Sequence, residues 1–166
     1  PTAILEDSSV IGNWADSEGG GITVSSTKLR LMRSVVRGNK ITTSRSSAGG
    51  GGIAVTHDSL LTAVASTISD NSAPTGEGGG LHLRYGCETT GSESDHGCNR
   101  AVLANCVMPG NGHGGDIKFC NNGNSGEVKK GLLFLLNMVG DGAGGVLGIS
   151  GGGAAQPSCE ALPASY

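Results

Sequence analysis

Short segments in which apolar and polar residues alternate recur along the chain, and each follows a glycine-rich step. The first and third residues are apolar, and the middle residue is small or polar. The segments are Ile22-Thr23-Val24, Ile53-Ala54-Val55, Leu81-His82-Leu83, Ile117-Lys118-Phe119 and Leu147-Gly148-Ile149. Such alternation predicts β-strands with one buried face. The segments begin 28 to 36 residues apart, a spacing typical of repeat proteins.

Each repeat also holds a second apolar segment, such as Leu29-Arg30-Leu31, and a third that ends at a recurring polar residue. Val, Ile or Met lies three positions before that polar residue, and a small residue often lies five positions before it. The recurring polar residues are Asn13, Asn39, Asn71, Asn111 and Asp141. Three short strands in about 30 residues leave no room for a helix. The pattern therefore predicts an all-β parallel β-helix in which these side chains form an inward-facing hydrogen-bonded ladder.

The repeats are predicted to occupy residues 1–150, with an insert at 86–99, and residues 151–166 break the pattern as a cap or linker. The glycine steps, such as Gly50-Gly51-Gly52, are expected at corners where the chain needs positive φ. Because the chain opens at Pro1, partway through a repeat, we expect a mature product or a fragment of something longer.

Composition excludes several classes of protein. The chain has 166 residues, 31 of them Gly, but lacks the strict third-residue glycine of collagen. It has no apolar run long enough for a transmembrane helix. A net charge of −3 gives no reason to expect nucleic acid. One stretch is locally basic, and we interpret it as a solvated face rather than a polyanion site. Its members are Lys28, Arg30, Arg33, Arg37, Lys40 and Arg45.

The chain has five cysteines and no C-x-x-C pair, so a zinc site is not expected. Cys87 and Cys98 bracket the polar insert and are candidates for a disulfide, with Cys120 and Cys159 as a possible second bridge. Disulfides would place the protein in an oxidising compartment and leave one thiol over. We expect no cofactor.

Residues that could carry chemistry are few. His113 and Asp116 lie in the densest polar stretch, but the second carboxylate that a polysaccharide hydrolase needs is absent. His82 and Lys118 occupy equivalent positions in two repeats and are predicted to face outward, where they could form a ligand-facing stripe. His57 has no Ser or Cys at a readable spacing, so a catalytic triad is not predicted. These residues make an enzyme less favoured than a scaffold.

The repeat unit resembles those of the polymorphic outer-membrane (Pmp-type), autotransporter-like surface proteins of bacteria. The matching motifs are Gly50-Gly51-Gly52-Ile53 and the stretch from Ser66 to Ala73. This chain has Ile, Val or Met where the Pmp motif has Phe. The resemblance implies a right-handed parallel β-helix that is extracellular or at the cell surface. It implies a structural or adhesive role, with other copies or flanking protein of the same assembly as partners. Because polysaccharide lyases and hydrolases share such folds, a carbohydrate-active or polysaccharide-binding module is the alternative.

Overall fold

A computed structural model describes residues 1–43, 49–73, 78–84 and 99–112, and the backbone of 117–120, 132–135 and 138–139. Within these residues the chain is all-β and no helix occurs. No described segment is therefore a helix long and apolar enough to span a bilayer. The strands, in chain order, are β1 (Thr2–Glu6), β2 (Ser9–Ile11), β3 (Trp14–Ala15), β4 (Ile22–Ser25), β5 (Lys28–Met32), β6 (Val35–Arg37), β7 (Lys40–Ile41), β8 (Ile53–Thr56), β9 (Leu60–Val64), β10 (Thr67–Ser69), β11 (Leu81–Arg84), β12 (Arg100–Ala104), β13 (Val107–Met108), β14 (Ile117–Cys120), β15 (Leu132–Leu135) and β16 (Met138–Val139).

The strands form sheets in which successive repeats lie side by side. One sheet has the order β1-β5-β9-β12-β15, a second β2-β6-β10-β13-β16 and a third β4-β8-β11-β14. All the strand pairs are parallel, as in β5 on β9 and β8 on β11. Each sheet therefore takes one strand from each repeat, and residues at the same place in successive repeats become neighbours.

The structure adds a short fourth segment that the three-strand prediction missed. Strands β3 and β7 pair in parallel, and isolated bridges continue this line from Lys40 to Ser72 and from Ser72 to Gly112. Two residues are too few to produce a readable alternation, so the sequence pattern contains no signal for this segment.

The core lies between the sheets and is aliphatic. Alternate residues of each strand point into it, so Leu29 and Leu31 of β5 are buried while Arg30 between them is exposed. In the second sheet Val36, Ile68 and Met108 are fully buried. Each such side chain contributes about 1.5–3 kcal/mol relative to an exposed one. Columns of similar residues therefore supply a continuous core with little aromatic volume.

The glycine steps have two different structural reasons. Gly50, the first residue of its step, has a φ of +72°, a conformation that L side chains rarely adopt. Gly51 does not need positive φ, but a Cβ there would lie 2.4 Å from the backbone oxygen of Ser72. The predicted corner explanation therefore applies to the first glycine, whereas the second permits close approach between neighbouring segments.

Another corner uses residues other than glycine in the left-handed region. Between the first and second sheets, Asp7, Arg33, Ala65 and Asn105 have φ values of 48°, 47°, 49° and 50°. Left-handed backbone costs a non-glycine residue about 1–2 kcal/mol. Its recurrence at one position in four repeats indicates that the surrounding strands impose the turn.

Candidate functional site

His82 lies at the centre of the third sheet. Its neighbours Leu81 and Leu83 are in the hydrophobic core, so the alternation of β11 directs His82 to the opposite face. His82 is nevertheless buried, with 2% of its surface exposed. His82 therefore takes the outward direction that was predicted but does not reach the surface, because alternation tells which face a side chain takes and not whether that face is covered.

A charged pair lies at the same strand. Arg84, the last residue of β11, donates a hydrogen bond from Nη1 to the carboxylate of Glu18, 66 residues earlier in the chain. Their side chains are 26% and 20% exposed. The backbone oxygen of Glu18 accepts a hydrogen bond of 3.0 Å from the hydroxyl of Thr23 on β4. Because the pair is largely shielded from water, its attraction is stronger than that of an exposed pair.

Alternation along β11 places His82 on the same face as Arg84, two residues along the strand, and we refer to Glu18, His82 and Arg84 together as the Glu18–Arg84 cluster. It holds one carboxylate, one guanidinium and one imidazole, a set that can bind hydroxyl or carboxylate groups of a ligand. It does not hold the two carboxylates that glycoside hydrolysis normally uses. Within the part of the chain that the structure describes, no three His, Cys, Asp or Glu side chains gather as a metal site would require.

The other predicted candidates lie partly or wholly outside the described residues. His113 and Asp116 are outside. The backbone of Lys118 in β14 pairs in register with His82, as the repeat predicts. The side chain of Lys118 is not among the parts of the chain that the structure describes. The backbone of Cys120 ends the same strand. The remaining disulfide candidates Cys87, Cys98 and Cys159 and the last ladder residue, Asp141, also lie outside the described residues. So do residues 86–98 of the predicted insert 86–99, and the tail 151–166.

The four described ladder residues, Asn13, Asn39, Asn71 and Asn111, lie one above another, and we call them the Asn column. The side-chain oxygens of Asn39, Asn71 and Asn111 each accept two hydrogen bonds from the preceding Asn, one from its backbone N–H and one from its Nδ2. For Asn71 these come from Asn39 at 2.9 and 3.0 Å. The sequence separations along the column are 26, 32 and 40 residues. The column continues through repeats of unequal length because the parallel register aligns them.

The second hydrogen of each buried amide reaches a carbonyl of the preceding repeat. Asn39 Nδ2 donates to the oxygen of Val10 at 2.9 Å, and Asn71 Nδ2 donates to that of Val36 at 3.0 Å. Asn39, Asn71 and Asn111 are at most 1% exposed. A buried polar group is tolerated only when it is hydrogen-bonded, and here each amide is bonded at both its oxygen and its nitrogen.

A parallel line of small side chains accompanies the Asn column, and we call it the Ser column. Its members are Ser8, Ser34, Ser66 and Cys106. The backbone N–H of Ser8 donates to Ser34 Oγ at 3.1 Å, and that of Ser34 donates to Ser66 Oγ at 3.2 Å. Cys106 replaces the hydroxyl with a thiol whose Sγ contacts the oxygen of Ala104 at 3.4 Å. Burial raises the pKa of the Cys106 thiol, so it stays neutral at physiological pH.

The structure also joins two residues that sequence spacing had left apart. Ser25 and Thr56 pair in register, which brings Ser25 Oγ to 3.3 Å from Nδ1 of His57. The sequence spacing around His57 did not reveal this contact, because the serine lies one repeat away. His57 Nδ1 is also 3.0 Å from the hydroxyl of Thr56. Ser25 and His57 are both exposed at a turn, so this contact has the character of a surface hydrogen bond.

Acidic residues of neighbouring repeats partly neutralise the basic stretch. Arg33 donates to both carboxylate oxygens of Asp7 at 2.8 Å and also to Glu6. Arg37 pairs with Asp70 at 2.8 Å. The hydrogen bonds from Arg33 hold the pKa of Asp7 below its usual range. These exposed pairs favour the interpretation of the stretch as a solvated face.

No protein-family model, no curated protein and no solved structure matches the chain.

Proposed function

We propose that the chain is a right-handed parallel β-helix of about 30 residues per turn that serves as an extracellular structural or adhesive scaffold. It would form part of a longer or assembled surface protein. The observation that carries this proposal is the unbroken Asn column, in which Asn39, Asn71 and Asn111 are buried and bonded to their neighbours. Such a column gives every repeat the same cross-section and lets a stack extend by adding repeats.

The use of charge also supports a scaffold. Of the described carboxylates, Asp7, Glu6 and Asp70 each pair with an arginine of a neighbouring repeat. These pairs fasten one repeat to the next on the surface. A polysaccharide hydrolase would instead need two carboxylates converging in a groove.

The surface location rests on sequence. The resemblance to Pmp-type surface proteins and the cysteines that flank the insert both support an extracellular setting. The expected partners are other copies or flanking protein of the same assembly. A net charge of −3 does not favour nucleic acid as a partner.

One observation favours the alternative of a polysaccharide-binding or carbohydrate-active module. The Glu18–Arg84 cluster combines a half-buried guanidinium and carboxylate with the buried His82. A planar guanidinium binds carboxylates in bidentate fashion, so an acidic sugar polymer is the ligand that the cluster would suit.

The scaffold proposal is tested by surface labelling and by a turnover assay. Antibodies to the chain should label intact source cells, and labelling only after lysis would overturn the surface location. The full chain should release no products from pectin or alginate. Cleavage that His113→Ala and Asp116→Ala abolish would establish the enzyme instead.

The alternative is tested by calorimetric titration with oligogalacturonates. If the cluster binds acidic sugars, Arg84→Gln should abolish binding, and the control Arg30→Gln on the exposed face of the first sheet should not. Absence of heat with the unmodified chain would remove this alternative. Thermal unfolding of each variant verifies that the fold persists.

A further inference from the structure

The Asn column contains one chemically reactive pair of residues, Asn111 and the glycine that follows it. The other three described members are followed by residues with side chains, namely Trp14, Lys40 and Ser72. An asparagine followed by glycine loses its amide most readily, because no side chain hinders the attack of the next backbone nitrogen on the side-chain carbon. Isolated bridges align Gly112 with Ser72 and Ser72 with Lys40, so these residues occupy one structural position.

Glycine at this position has neither of the structural reasons that apply at the glycine steps. Gly112 lies outside the left-handed region, in which Gly110 lies with a φ of +72°. Among the described residues, a Cβ at Gly112 would meet Ser72 Oγ at 4.0 Å, an ordinary van der Waals contact. A Cβ at Gly51 or Gly79 would instead lie 2.4 or 2.3 Å from a backbone oxygen. Within the described part of the chain, neither backbone conformation nor packing therefore requires the glycine that makes Asn111 reactive.

The folded chain engages both reacting groups in hydrogen bonds. The backbone N–H of Gly112, which must lose its proton before it attacks, donates to the carbonyl of Asn71 at 2.8 Å. The side-chain oxygen of Asn111 accepts two hydrogen bonds from Asn71 at 3.0 Å, and its Nδ2 donates to the oxygen of Ile68 at 2.9 Å. Asn111 is 1% exposed, so hydroxide and water have little access to it. Ring closure would break these hydrogen bonds, so it requires the repeat to open.

The strand that leads to Asn111 is short, which favours local opening. Strand β13 pairs with β10 through one registered pair, Thr67 with Val107, whereas β10 pairs with β6 through three. Pro109 follows β13, and proline has no N–H with which to continue the ladder. Local opening requires less free energy where fewer backbone hydrogen bonds are lost. This segment should therefore open more often than the whole chain unfolds.

We propose that Asn111–Gly112 is a deamidation site at which opening of this repeat is converted into a permanent covalent change. Once the segment opens, the Gly112 N–H gives its proton to solvent and the nitrogen attacks Cγ of Asn111. A C–N bond forms, the Cγ–Nδ2 bond breaks, and Nδ2 takes a proton from solvent and leaves as ammonia. Water then opens the resulting succinimide ring at either carbonyl and leaves aspartate or isoaspartate. The inference goes beyond the scaffold function, since it depends on the column and not on what the protein binds.

Either product opposes re-formation of the column at this repeat. In aspartate, one carboxylate oxygen keeps the donors from Asn71, but the other faces the carbonyl of Ile68, and an ionised carboxylate has no hydrogen to donate. In isoaspartate the main chain runs through the former side chain and is one methylene longer, so Gly112 loses its register with Ser72. Opening is thus reversible before the reaction and irreversible after it.

The reaction is followed in the full chain by peptide mapping and mass spectrometry, during incubation in mildly alkaline buffer with and without urea. In urea Asn111 should deamidate faster than Asn39 and Asn71, whose following residues hinder ring closure. In the folded chain its rate should fall at least about tenfold below the rate in urea, and each factor of ten corresponds to about 1.4 kcal/mol of opening free energy. Equal rates at Asn111 with and without urea, or equal rates at Asn111 and Asn71 in urea, would overturn the proposal.

Gly112→Ala is the matched control, because the added methyl group hinders ring closure and Ser72 occupies the equivalent position with a side chain. After incubation in urea and removal of the urea, the variant should regain cooperative unfolding, relative to a sample refolded without incubation. The unmodified chain should lose it in proportion to the Asn111 converted. Both chains keep Asn122-Gly123, so reaction there affects them equally. Equal recovery of the two chains would overturn the irreversible step. If Gly112→Ala does not fold, Gly112→Ser, which copies the preceding repeat, takes its place in the same comparison.

Discussion

Compared with the same change at the exposed Asn13, replacing Asn71 by alanine should destabilise the protein much more. Its side-chain oxygen accepts two hydrogen bonds from Asn39. Its Nδ2 donates to the oxygen of Val36 and to Asn111 Oδ1, both at 3.0 Å. Asn71 is 0% exposed, so water does not replace these partners readily.

The magnitude follows from the groups left behind. Asn71→Ala leaves the backbone N–H and one Nδ2 hydrogen of Asn39 without their acceptor, and it removes one donor from the carbonyl of Val36. Asn111 Oδ1 keeps the hydrogen bond from the backbone N–H of residue 71. A buried group without a partner costs about 1–3 kcal/mol, so the two donors of Asn39 give about 2–6 kcal/mol. Since domains unfold with about 5–15 kcal/mol, this loss would be a large fraction of the total.

Asn13→Ala is the matched control, because Asn13 is exposed and its side chain donates only to Asn39 and, at 3.4 Å, to Ile11. Its loss should cost at most about 1 kcal/mol. Urea unfolding followed by far-UV circular dichroism gives both free energies, and unchanged m-values would show that the same surface unfolds. Equal losses at Asn13 and Asn71 would refute the column.

The isosteric change Asn71→Asp adds a pH dependence. One carboxylate oxygen can keep the donors from Asn39, but the other would face two acceptors, Asn111 Oδ1 and the Val36 carbonyl, and needs a proton. Burial and these acceptors raise the folded pKa above the unfolded value of about 3.9. The folded state then binds more protons, so stability is greatest below the unfolded pKa and falls as pH rises through the folded pKa. A free energy of unfolding relative to wild type that does not change between acidic and neutral pH would contradict this.

Three further changes test the corners and the surface. Gly51→Ala should lower the free energy of unfolding in urea by more than about 2 kcal/mol, because its Cβ would lie 2.4 Å from a backbone oxygen. Gly38→Ala has positive φ but open space around its Cβ, so it should lower the free energy of unfolding by only about 1–2 kcal/mol. Equal costs would contradict the close approach. Ala65→Gly should stabilise by about 0.5–1 kcal/mol, since glycine relieves a φ of 49° at some entropic cost, and a lower melting temperature would contradict it. Arg33→Gln should raise the pKa of Asp7 in an NMR titration. In the wild-type protein the lowered pKa of Asp7 stabilises the folded state at pH values above the pKa that Asp7 has in the unfolded chain. This stabilisation is lost as the pH falls through the pKa of Asp7 in the folded state. An unchanged Asp7 titration would contradict the pairing.

The sequence predicted most of the described strands and the four described Asn positions, because both depend on local spacing. Alternation marked Leu81 and Leu83 as buried, and the recurring Asn after an aliphatic residue marked the column. A parallel arrangement follows once like residues recur at the same place in each repeat, and the strand pairs are parallel.

The remaining features depend on how the strands align and on which residues cover each sheet. Local sequence spacing shows neither. The burial of His82 depends on what lies over the outward face of its sheet. The contacts of Ser25 with His57 and of Glu18 with Arg84 join residues 32 and 66 positions apart. Neither pair is recognisable until the strands are aligned, so only His82 of the three residues in the candidate site was predicted from the sequence.

The stacking of the Asn column is tested most directly by NMR of the side-chain amides. Nuclear Overhauser contacts should connect the amide protons of Asn39 with those of Asn71, and those of Asn71 with those of Asn111, in that order. The Asn39, Asn71 and Asn111 amides should exchange slowly with solvent. Contacts confined to sequence neighbours, or fast exchange at Asn71, would contradict the stacked repeats.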